Sequence, residues 1–475
     1  MTACVQGPAS ELNLKYALTR YVQAIQSRNV KWPIKFNGML FTANKPPLAD
    51  TRDWGPSNWW QNTRLPYGPM LGMGDVDTYL PLLEYYLNML PFALGRTSTY
   101  FNHTGIFFTE TKTIFGAYAP QDYGCSRTPG YPVWLEQNQY IHLDYGGDGG
   151  TPEVALAVLD LYLYTNDEEL AERYLPIAFA AADFFMQHYK NRTRDASGQE
   201  KVVIWPTQAL EMWWCTWDTA HNRPSSDCVI DDAPTIAGMQ TLFEKLLALP
   251  LSLVPAQKRA QWQAFQPLIP DLPTTNTTSG TEMLAPARVL SSGKHNSETP
   301  ELYAVHPYRQ ITAARCWPSC GSAFELATAA FRANPLAYSS NSGWNQGIIN
   351  AALLSLDQIS MQMILARANT GPAKGYRFPG FMPHEQDYEP SADHLANMLT
   401  AVQALILQPA DDGFEDGSMV LFPSWPCDWD VDAKLWGPHA TSVHVVYRNR
   451  TLVSLTVEPP FRRSAVRFGF CVTNN

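Results

Sequence analysis

The chain sets one glutamate, Glu211, between Pro206 and the paired indoles of Trp213 and Trp214. A carboxyl held against a large apolar surface loses hydration, which favours its neutral form. Such a group keeps its proton near neutrality and can deliver it to a leaving oxygen. Flat aromatic faces also stack sugar rings. The segment PTQALEMWW at 206–214 thus joins an acid to a platform for a sugar. Taken alone, it reads equally well as a glutamate hydrogen-bonded inside an aromatic core.

Composition narrows the field. Tryptophan is the outlier, with 15 copies in 475 residues. Several lie beside polar residues, among them Trp59, Trp60, Trp213, Trp214, Trp217 and Trp344. A buried indole needs a partner for its N–H, so such clusters mark mixed polar and aromatic pockets. The net charge of -10 and the lack of any Lys/Arg run argue against nucleic acid. No stretch of 18 apolar residues suggests a membrane span. The N-terminus lacks a basic-then-apolar leader pattern.

The eight cysteines include one close pair, Cys316 and Cys320, with no matching second pair and no histidine at zinc spacing. Neither a metal nor another cofactor is expected. Four N-x-S/T triplets, at Asn102, Asn191, Asn276 and Asn449, weakly favour an extracellular or extracytoplasmic location. The run Gly146–Gly150 lacks the lysine of a phosphate loop and reads as a tight turn.

The elements that must position Glu211 are mostly helical. Apolar residues recur at helical spacing over 77–94, 154–164, 166–189, 232–248, 255–265, 321–334, 344–368 and 391–408. The helices at 154–164 and 166–189 have a link of two or three residues, so they form an antiparallel hairpin. Long aromatic loops separate the helices, and loops of that length inside a compact domain are usually functional. The pattern predicts a mainly α chain, an (α/α) toroid over residues 1–410 with one central cleft. From 411 to 475 short β-branched runs at 419–423, 442–447, 451–457 and 465–471 predict a small β domain.

Six segments in order resemble family-95 glycoside hydrolases, the α-L-fucosidase and α-L-galactosidase group of the six-hairpin glycosidases. The chain looks closer still to that group's DUF5703 branch. The segments are SNWWQNTRLPY at 57–67, the helix pair 152–189, PTQALE at 206–211, LYAVHPYRQI at 302–311, SGW at 342–344, and 412–429. The resemblance spans roughly residues 10–475. The family's N-terminal β-sandwich has no counterpart here, which suggests a fragment or a truncated gene product.

The resemblance makes the toroid an (α/α)6 toroid and implies an inverting hydrolase that cleaves a terminal, α-L-fucoside-like sugar from an oligosaccharide or polysaccharide. Glu211 takes the place of the family's general acid. Asp387, on the loop before the last toroid helix, best matches the general base by spacing, with Glu385, Glu389 and Asp393 as the other candidates. Asn62 matches one of the family's two water-holding asparagines, and Arg64 stands where the second should be. Glu298 and Glu301 replace a histidine-rich segment, which weakens the match to fucose itself. Trp60, Trp213, Glu298, Trp344 and His384 complete the expected contacts to substrate or water.

An arginine at 64 can also clamp a carboxylate with two hydrogen bonds. That leaves open a toroid polysaccharide lyase acting on uronic acids. Loss of the second asparagine leaves open a non-catalytic carbohydrate-binding relative.

Overall fold

The computed structural model describes residues 8–34, 58–116, 145–147, 149–291, 295–339, 345–368, 392–410, 414, 416–469 and 471. Asp387, Trp344 and His384 lie outside the described residues, as do Glu385 and Glu389.

The chain is mainly α. In order, the helices are α1 (Pro8–Ser27), the short turns α2 (Trp60–Thr63) and α3 (Met70–Met73), α4 (Val76–Phe101), α5 (Thr151–Thr165), α6 (Glu168–His188), α7 (Ala233–Ala248) and α8 (Ala256–Phe265). After them come α9 (Ser322–Ala333), α10 (Pro335–Ser339), α11 (Gly347–Leu353), α12 (Asp357–Ala368) and α13 (Ala392–Ile406).

Two kinds of helix alternate. A helix apolar on all sides is buried, and one with a polar stripe lies at the surface. Every residue of α5 from Thr151 to Leu163 is buried, and so is all of α11. By contrast, α1, α8 and α9 bury a single face. Buried and half-exposed helices pack side by side: α5 against α4, α6 and α7, and α13 against α11, α12 and α1.

The α5–α6 hairpin has the expected short link. Asn166 closes α5 at φ +52°, and the Asp167 carboxylate accepts from Leu170 N–H at 3.0 Å to open α6. The predicted helix at 344–368 is instead two helices. Leu353 C=O accepts from Ala313 N–H at 2.8 Å, Ser355 stands at φ +55°, and its hydroxyl donates to Pro423 O at 3.0 Å. Tertiary partners break a pattern that is periodic on both sides of the break.

Helix α1 was not foreseen, because its inward face is polar. Lys15, Thr19, Gln23 and Ser27 are buried there. The Gln23 amide donates to Pro66 O at 2.8 Å, which ties α1 to the turns that follow Asn62.

At the C-terminal end, β1 (Leu407–Pro409) pairs antiparallel with β2 (Met419–Leu421). Strand β6 (Val466–Phe468) runs parallel to β2. A second sheet orders β3 (Val431–Gly437), β4 (Thr441–Arg448) and β5 (Thr451–Glu458) as an antiparallel meander. The β4–β5 turn uses Asn449 and Arg450, both at positive φ, as a two-residue hairpin requires.

Among the described residues there are three disulfides: Cys215–Cys228, Cys316–Cys320 and Cys427–Cys471. Disulfides form and persist in oxidising compartments. No described helix is long and apolar enough to cross a membrane.

Candidate active site

Glu211 stands in a 3-10 turn, Leu210–Met212, that local polar contacts fold tightly. The buried Gln208 side chain donates to Leu210 O at 3.0 Å and accepts from Cys215 N–H at 3.2 Å, spanning the turn. Leu210 adopts φ +53°, a left-handed conformation that a non-glycine residue holds only when its surroundings dictate it. The Cys215–Cys228 bridge fastens the turn's far end to the segment entering α7. Its near end is held by Thr207, whose hydroxyl donates to Asp232 at 2.8 Å. Asp232 in turn caps α7 by accepting from Thr235 N–H at 2.9 Å. Burial pushes the Asp232 carboxyl up to about 6.

The 295–298 segment lies along this turn. His295 N–H donates to Met212 O at 3.1 Å, and its ring stacks on Trp214 at 4.0 Å. The Asn296 amide donates to the Glu211 carboxylate. Glu298 Oε2 accepts from Glu211 N–H at 3.3 Å. Asn345 fixes the segment from the other side, donating to Ser297 O at 3.0 Å while accepting from Gly347 N–H at the start of α11.

Glu211 and Glu298 are each 6% exposed. Burial raises the Glu298 carboxyl above its ordinary range; the polar Gln61 side chain and the Arg64 charge oppose this, and the Glu153 charge reinforces it.

Gln61 begins the second half of the site. Its neighbour Asn62, also buried, donates from Nδ2 to Asp393 Oδ2 at 2.8 Å, in the first turn of α13. Asp393 is fully buried, and its other oxygen accepts from His394 N–H at 2.9 Å. Among the carboxylates left open in the 385–393 stretch, Asp393 is thus the described one, and Asn62 holds it.

Arg64 is committed elsewhere. Its Nη1 donates to Glu153 Oε1 at 2.5 Å and its Nη2 to the Tyr303 hydroxyl at 3.1 Å. Burial pushes the Glu153 carboxyl up, against the pull of the Arg64 charge and the Trp60 indole.

The tryptophans expected to stack sugars are mainly packing groups. Trp60 is 2% exposed, edge-on to Tyr86 at 5.6 Å. Gly150 at φ +71° abuts it so closely that a Cβ there would sit 2.3 Å from the indole, which explains a glycine at the mouth of α5. Trp213 is buried with Ala209, Met212, Val229 and Ala287. Trp214 alone of these three is half-exposed. Glu301 accepts from the Asn334 amide at 2.6 Å.

Sequence reasoning missed Glu153, Asn296, Gln61 and Tyr303. Glu153 looked like an ordinary acid in the first turn of a helix, where the helix end favours negative charge. Asn296 and Gln61 carry no signal of their own beside charged neighbours. Among the described residues, no group of three or more His, Cys, Asp or Glu side chains is arranged to hold a metal.

No family model and no curated protein sequence matches the chain. Solved structures do resemble it. One, titled a wild-type glycosidase, aligns at 12% identity and a TM-score of 0.47, covering 83% of this chain and 98% of its own. Another, a single-site variant of a glycosidase, aligns at 12% identity and 0.46, covering 83% and 97%.

Proposed function

We propose that the chain is a glycoside hydrolase built as an (α/α)6 toroid, cleaving a terminal sugar by inverting acid/base chemistry. Glu211 is the general acid. The general base comes from the 385–393 stretch, with Asp393 first in line and Asp387 the alternative that spacing to the last helix favours. One observation carries the reading. Glu211 accepts from the Asn296 amide and gives its N–H to Glu298, the Gln61 side chain acts on Glu298, and the next residue, Asn62, donates to Asp393, so buried polar groups from segments remote in sequence stand beside one another.

Two carboxyls across a glycosidic bond are what hydrolysis needs, roughly 6.5–9.5 Å apart when a water must fit between base and sugar. The Asn62 amide, placed against Asp393, is the group suited to orient that water. An α-L-fucoside is the first substrate to try. The three disulfides fit work in an oxidising compartment outside the cytoplasm. The uronic-acid reading asked Arg64 to clamp a substrate carboxylate, and Arg64 is already paired with Glu153 and Tyr303.

The test is digestion of a broad glycoside panel by the wild type and by Glu211→Gln, Asp393→Asn and Asp387→Asn. Glu211→Gln lowers kcat at least ~100-fold on any cleaved substrate, the low end for a general acid, while circular dichroism stays native. Whichever aspartate variant loses turnover names the base. Undiminished turnover in Glu211→Gln removes the acid assignment. Sugar binding by the wild type with no cleavage makes the chain a binding protein.

A further inference from the structure

The buried helices enclose a cavity of about 170 Å³. Its wall follows α5 from Glu153 through Asp160 to Tyr164, so the cavity runs about 16 Å along that helix at 1.5 Å per residue. Glu211, Glu298 and Asp393 are not part of its lining. At the end nearer those acids, Arg64 and Glu153 close it and both are buried. Toward the other end, Tyr164, Arg309 and Pro409 are only half-buried, and Gly68 along the wall is exposed, so the cavity reaches solvent away from the acids.

The lining carries charges that cancel. Arg64 pairs with Glu153, and Arg309 Nη2 reaches both Asp160 oxygens at 2.7 Å. Burial, reinforced by the Arg64 and Arg309 charges, pushes the lining His306 well below its usual range and keeps it neutral. Among the lining amides, the Nδ2 of Asn397, 1% exposed, meets no hydrogen-bond partner among the described residues. A buried donor left unsatisfied is destabilising, and a ligand or water that accepts from it removes the penalty. Around 10–15 Å³ of such space holds one water, so the cavity takes about ten, or a solute the size of a sugar ring.

We propose that this lumen is a second ligand site, entered from the face remote from Glu211, for a small neutral polyhydroxylated solute of monosaccharide size. Balanced ion pairs disfavour a charged guest, and Asn397 supplies a directed donor to a hydroxyl oxygen. The site stands apart from the proposed reaction and does not need it.

Calorimetric titration with D-glucose, L-fucose and glycerol, and with glucosamine and gluconate as charged comparators, tests it. At least one neutral probe binds one-to-one to the wild type and equally to Glu211→Gln, and the charged probes bind more weakly. Asn397→Leu removes the donor, and Ala157→Met fills the lumen from α5; each weakens that binding at least ~10-fold. If Asn397→Leu fails to fold, Ala157→Met decides. Binding lost in Glu211→Gln places the ligand among the carboxylates instead. Binding untouched by both lumen variants, or absent for every neutral probe, leaves a water-filled cavity and overturns the proposal.

Discussion

Two carboxylate groupings, close enough for the Glu153 charge to act on Glu298, are met by different partners. Glu153 is answered by a full positive charge, the Arg64 guanidinium, with Tyr303 completing the geometry. Glu211 and Glu298 are instead met by neutral donors, the Asn296 amide and a backbone N–H. A guanidinium pulls a carboxylate toward its ionised form, although burial still leaves Glu153 raised. Amides position it and leave it freer to exchange a proton. The first arrangement suits a structural wall, the second a group that must change protonation during turnover.

Breaking the wall has the largest expected effect. Arg64→Met strands Glu153 without a cation, which costs about 3–5 kcal/mol for a buried pair broken on one side. Urea unfolding measures it, and adding Glu153→Leu should restore most of the loss. A single variant as stable as the wild type would mean the pair is not holding this part of the core.

Next comes the brace around the acid. Replacing Cys215 and Cys228 by serine releases a loop of 13 residues and lowers stability by about 3 kcal/mol in the chain-entropy model. Because the bridge holds one end of the Glu211 turn, kcat should fall more than KM rises.

A subtler change separates the two groupings by pH. Burial raises the Glu298 carboxyl, so the folded chain binds that proton more tightly than the unfolded chain does. Its stabilising contribution is therefore full at low pH and is lost as pH rises through the folded-state value. Glu298→Gln, permanently neutral, should gain on the wild type in melting temperature between pH 4 and pH 7. A pH-independent difference would show that Glu298 does not titrate differently on folding.

The smallest effect belongs to a surface pair that serves as a baseline. Arg450 and Asp428 meet at 2.7 Å but are 71% and 70% exposed. Arg450→Ala should shift stability by no more than about 0.5 kcal/mol.

Much of the helical frame was legible because its signals are local. The Asn166–Asp167 link and the proline after Thr151 mark helix ends by chain chemistry alone. Helix α1 was hidden because it buries amides and hydroxyls rather than a stripe of apolar residues. Strand β3 was hidden by Asp432 and Lys434, which face solvent on one side of a sheet whose other side is packed.

The site was legible in part for the same reason. Glu211 stood out through its neighbours in sequence. The partners of Asn62 and Arg64 lie 331 and 89 residues away, and no spacing rule reaches that far. Arg64 itself looked like a substrate clamp until Glu153 was beside it.

The Cys215–Cys228 bridge has a practical consequence for anyone preparing this protein. A bacterial cytosol keeps thiols reduced, so material made there would leave the Glu211 turn unfastened at that end while most of the helices form normally. Such a sample would pass a far-ultraviolet check and still turn over poorly. Its specific activity would then report the fraction of molecules that had been oxidised, and a thiol titration would tell a poor preparation from a wrong substrate.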